Sequence, residues 1–158
     1  MNNNQQSLSA FLSTLRIIHY GIFCGLIIFA ALAYFIRNKT GPMLDIKTLE
    51  ILTYVSLIFL LGELPLAYWL HKRKIKSLII IPDLNAKLAA YKASHIVKIA
   101  MFEGVGFLSC LVLLLGGKNV LLIQIAIVVV LMLLETPSAA KLANDLDLSS
   151  GDQDLSTS

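Results

Sequence analysis

Residues 96–115 read IVKIAMFEGVGFLSCLVLLL, an apolar run whose only charges are Lys98 near one end and a carboxylate, Glu103, further in. As an α-helix this run is long enough to cross a hydrocarbon layer, which takes about 20 apolar residues. Three more apolar stretches flank it, at 17–36, 51–70 and 120–134. The last is shorter, lies between Lys118 and Pro137, and reads as a slightly short span. The sequence therefore predicts an all-α, polytopic membrane protein of four transmembrane helices. They form a single domain over 1–148, and the Ser-, Asp- and Gly-containing tail over 149–158 is expected to be disordered.

Composition points the same way. Hydrophobic residues make up 57% of the chain and the mean hydropathy is +0.78, whereas soluble domains are roughly 45–50% apolar. Four crossings leave no room for a soluble catalytic domain, so any chemistry belongs to the bundle or its short loops. The chain has no histidine pair at metal-ligand spacing, no nucleophile elbow and no glycine-rich phosphate loop. A non-enzymatic protein with no catalytic residue, metal or cofactor is the expectation. Cys24 and Cys110 lie inside apolar spans and read as small buried residues. The net charge of +3 is modest and gives no support to a nucleic-acid partner.

With four spans, both termini and the central loop share one side. That side holds nine basic residues, Arg16, Lys72, Arg73, Lys74, Lys76, Lys87, Lys92, Lys98 and Lys141, against four on the other, Arg37, Lys39, Lys47 and Lys118. Lys and Arg resist translocation, so both termini are expected in the cytoplasm, in a multi-pass protein of the inner membrane. The run His71 to Lys76 reads as a topology anchor within reach of anionic lipid head groups. Ala31, Leu32 and Ala33 resemble a signal-peptide cleavage site. The leader Met1 to Gln6 has no basic residue, however, and the span continues through Ile36, so a retained helix is favoured.

The third span superposes on the first without a gap, Phe102, Glu103, Gly104 falling on Phe23, Cys24, Gly25. Each then has two small residues four apart, Gly21 and Gly25, Ala100 and Gly104, the spacing that lets helices approach closely in lipid. The second and fourth spans share Glu-x-Pro-x-Ala, at Glu63 to Ala67 and Glu135 to Ala139. Together these suggest a duplicated helical hairpin, of the parallel-repeat kind found in some transporters. Pro65 frees the carbonyl near Leu61 and predicts a kink beside Glu63. Pro82, Asp83 and Asn85 predict a turn and the capped start of the third helix.

The candidate site is the set of intramembrane carboxylates. Glu103 and Glu63 are expected in the cytoplasmic half of the membrane, with Arg16, His19 and Lys98 entering from the same side. The pairings expected are Glu103 with His19 or Arg16, and Glu63 with Lys98, an interhelical clasp. Alternatively Glu103 carries a proton or ion. The three histidines read as scattered, one per segment. The bilayer is the first partner, and a second copy or a foreign membrane helix the next.

Glu103, Gly104 and the leucine-rich run ending at Gly116 and Gly117 resemble the ion-carrying helix of rotary ATPase proteolipids, although the other spans lack that family's many glycines. Over its whole length the chain resembles small bacterial four-helix membrane proteins with an acid-glycine pair in the third span. That resemblance implies a four-helix fold and a shared site around Glu103, and no activity.

Overall fold

The computed structural model describes residues 3–78 and 80–146. The chain folds as α1 (Asn3–Thr40), α2 (Ile46–Leu78), α3 (Leu84–Leu114), α4 (Val120–Leu134) and α5 (Ala139–Leu146), with no strand among the described residues. Helices α1, α2 and α3 are long and apolar enough to cross a membrane. The 15 residues of α4 reach only about 22 Å, and this helix meets the same test only together with α5, to which it is bent by 77°. The expected tail lies outside the described residues.

Local chemistry sets the helix ends. Gly41 leaves α1 at φ +70°, a left-handed stop that an L side chain disfavours. Asp45 caps α2 by accepting from the Thr48 amide (3.0 Å) and hydroxyl (2.6 Å), which holds its carboxyl below the ordinary range. Asp83 caps α3, as the sequence predicts, accepting from the amides of Asn85 and Ala86. The repeated Glu-x-Pro motif has two outcomes. α2 continues past Pro65 to Leu78, whereas α4 stops before Glu135 and Pro137. Leucines on both sides of Pro65 favour helix, while Thr136 and Ser138 bond to nearby backbone instead: the Thr136 hydroxyl donates to Leu133 O and the Ser138 hydroxyl accepts from the Lys141 amide.

α3 is the axis of the bundle. It packs along α1, α2 and α4, while α1 and α2 hardly meet. The expected pairing of α1 and α2 as one packed hairpin is therefore not the arrangement found. The main core combines Leu26, Leu60, Phe102, Val105, Val128 and Met132. Outside it, Ile28, Phe35, Ile58, Leu61, Ile123 and Leu134 are exposed on α1, α2 and α4, an apolar outer surface suited to lipid rather than water.

At the Lys-rich end the helices overrun the apolar blocks and build a second core from Leu12, Leu15, Leu78, Leu88 and the α5 residues Leu142 and Leu146. At the opposite end the two tight loops are stitched together. The Met43 amide donates to Leu115 O at 2.9 Å, and Lys118 pairs with Glu50 at 2.7 Å, which raises the Lys118 pKa.

Close approach of α1 and α3 is made elsewhere than expected. A Cβ at Gly21 or Gly104 would meet nothing, whereas one at Gly106 would lie 2.8 Å from Leu26 Cδ2. Ala100 is exposed. The pairs Gly21, Gly25 and Ala100, Gly104 thus edge an open groove, and Gly106 forms the contact.

Candidate functional site

Between the two cores lies a polar layer. Lys98 of α3, 4% exposed, pairs at 2.7 Å with Glu135 just past α4. The Tyr68 hydroxyl of α2 donates to the other carboxylate oxygen at 3.0 Å, and Lys141 approaches at 3.4 Å. Burial alone would push the Glu135 carboxyl up, but Lys98, Lys141 and Tyr68 outweigh it and bring it down to about 2. The partner expected for Lys98 was Glu63. Glu135 takes that place because it ends α4 level with Lys98, where it also receives Tyr68 and Lys141.

All three histidines belong to this layer. His95 Nε2 lies 3.4 Å from His19 Nδ1, and the rings of His71 and His95 sit 6.2 Å apart. His71 Nδ1 also meets the Ser94 hydroxyl at 2.8 Å. Tyr91 stacks near His95 and donates to Asp145 of α5 at 3.1 Å. The scattered reading is corrected: His19 and His95 stand where the apolar stretches of two parallel helices begin and His71 where that of an antiparallel one ends, so topology collects them at one end. His19 pairs with another imidazole rather than with Glu103. Arg16 donates to Pro137 O at 2.9 Å, holding the turn between α4 and α5.

Deeper in the bundle is a second polar cluster that sequence reading missed. The hydroxyls of Ser56 and Ser109 lie 3.0 Å apart and both donate to Gln124 Oε1 at 2.9 Å. All three residues are buried. The available signal was a single Gln in an otherwise apolar span. In a low-dielectric interior such a network fixes helix neighbours.

The links His71 to Ser94 and Ser56 to Ser109 set an antiparallel register in which Glu63 of α2 stands level with Phe102 of α3, and so at the depth of Glu103. Neither carboxylate has a hydrogen bond or ion pair among the described residues. Glu63 Oε2 is buried without a partner. Glu103 lies against α1, where its Oε1 is 3.9 Å from the place a Cβ on Gly25 would occupy. The groove around it has Gly21 and Gly25 on one wall, Ala100 and Gly104 on the other, and at its deep end the stacked Phe29 and Phe107 rings, 4.3 Å apart. Cys24 faces outward beside it, contrary to the buried role expected.

Compared with known proteins, the chain matches no family model, no curated protein and no solved structure.

Proposed function

We propose that this chain is an accessory or scaffold subunit of the inner membrane, which receives a partner transmembrane helix in the groove between α1 and α3. The observation carrying this reading is Glu103, an unpaired carboxylate set against Gly25 between the open small residues Gly21 and Gly104. A carboxylate at membrane depth calls for a donor, and small residues on both walls allow a second backbone to approach closely. In this reading α4 is the fourth crossing and both termini are cytoplasmic, following the basic residues. The duplication of two hairpins remains part of the proposal, supported by α1 and α3 lying parallel with Gly25 beside Glu103.

A photo-crosslinker placed at Gly21 in membranes tests this, with Ile58 on α2 as control site. The expected adduct forms at Gly21, and is lost in Glu103→Ala and Gly104→Ile while thermal stability holds. An adduct of doubled mass identifies a second copy as the partner. Equal labelling from Ile58 would overturn the groove.

A second reading is favoured by one observation, that Glu63 on α2 and Glu103 on the α1 side of α3 lie at one depth with neither engaged. Here Glu103 carries a proton or ion, with Glu63 as a second candidate. Labelling of Glu103 by dicyclohexylcarbodiimide near neutral pH in lipid, abolished in Glu103→Gln, would support it. Absence of labelling in the folded protein would exclude it.

A further inference from the structure

On the Lys-rich half of the α2–α3 seam lies a cleft of about 330 Å³, within the ~300–1,000 Å³ range of small-ligand sites. Its deep walls are apolar, Ala67 and Leu70 from α2 and Val97 from α3, and its rim carries His71, Lys74 and Ser94. Ala93 contributes only a methyl group to the α3 wall, so a bulky side chain there would intrude on the space. The His71 to Ser94 bond ties the two helices together at the rim. Lys98 closes the deep end with its charge already met by Glu135, whereas Lys74 has no ion-pair partner among the described residues. The site thus offers a free cation and polar groups above and a hydrocarbon trough below, along one axis of the bundle.

We propose that this cleft holds one anionic phospholipid. Its phosphate sits at Lys74 and the His71–Ser94 pair, and an acyl chain runs down past Leu70, Ala67 and Val97. Charge complementarity selects the occupant: the end of α2 carries Lys72, Arg73, Lys74 and Lys76 without an acidic residue among them, and such runs attract anionic leaflets. The trough distinguishes a seated lipid from diffuse attraction, which is indifferent to shape. From the preceding reading the proposal takes only the orientation of the Lys-rich end toward an anionic surface. The groove around Glu103 lies on the α1 side of α3 and is not involved.

The test is native mass spectrometry of the full-length protein with phosphatidylglycerol, phosphatidylcholine or inorganic phosphate added. The variants are Lys74→Glu, Ala93→Phe, and Lys76→Glu as an equal charge change outside the cleft. Retention of phosphatidylglycerol over phosphatidylcholine is expected to fall at least about fivefold in Lys74→Glu and similarly in Ala93→Phe, with Lys76→Glu close to wild type. Equal loss in Lys76→Glu would reduce the effect to diffuse electrostatics and overturn the site. So would equal retention of phosphatidylcholine, displacement of the lipid by phosphate alone, or indifference to Ala93→Phe. Should Ala93→Phe unfold the protein, Ala93→Leu gives the same decision with a smaller side chain.

Discussion

Lys98 Nζ sits 2.7 Å from Glu135 Oε2, with the two side chains only 5% and 16% exposed. The pair joins the middle helix of the bundle to the end of α4, and Tyr68 brings in α2 through the same carboxylate. Because both charges have left water, the cost of separating them exceeds that of removing them together.

Glu135→Leu leaves the buried Lys98 charge without its counterion and is expected to destabilise the protein by roughly 3–5 kcal/mol, whereas Lys98→Met, which leaves Glu135 with Lys141 and Tyr68, should cost less. The double variant should lose far less than the sum of the two. Reversible unfolding in mixed micelles, run as a double-mutant cycle, measures this, and simple additivity would show that the pair is not coupled.

Stability should also fall in acid, with a defined sign. The Glu135 carboxyl is held at about 2 in the folded protein against an ordinary 4.5, so the unfolded chain binds more protons between those values. The stabilisation is fully present above pH 4.5 and is lost as pH falls toward 2, on the order of 3 kcal/mol in all. Thermal unfolding from pH 7 downward should decline over that window in wild type and be flatter in Glu135→Gln.

The Ser56, Ser109 and Gln124 cluster makes a different prediction. Gln124→Leu removes the shared acceptor of two buried hydroxyls and should cost roughly 1–3 kcal/mol. Replacing all three, as Ser56→Ala, Ser109→Ala and Gln124→Leu together, should cost less than Gln124→Leu and the two serine changes added. Equilibrium unfolding of the single and triple variants decides it.

Glycines separate by position. Gly116→Ala combines φ +109° with a Cβ placed 2.5 Å from Pro42 Cα, a backbone atom with no freedom to move away, and should cost well over ~1 kcal/mol. Gly41→Ala is strained only through its φ of +70° in open space and should lose about 1 kcal/mol. Gly104→Ala has room and should leave the monomer unchanged. Melting temperatures in one detergent rank the three.

The apolar lengths of α1 to α3 and the Asp83 cap were legible because periodicity and capping are local properties. The Lys98 partner was not. Glu63 and Glu135 carry the same Glu-x-Pro motif, and only the different fates of the two helices place one carboxylate in reach. The polar surroundings of Leu142 and Leu146 likewise hid α5, whose apolar side has meaning only against Leu15 and Leu78. The glycine pairs were found by spacing, but spacing gives a face and not what stands opposite. The groove at Glu103 therefore emerged only from the relative rotation of α1 and α3.

The central position of α3 bears on the order of assembly. During synthesis α1 and α2 emerge first, yet they have almost no surface in common. Until α3 arrives they have no native partner, and their tight connection Gly41–Asp45 lacks the Leu115 carbonyl and the Lys118 ion pair that later secure it. Insertion of α3 thus converts two separate helices into a bundle in one event. A chain truncated before residue 84 should remain a loose pair of spans, a substrate for membrane proteolysis rather than a half-built version of the fold.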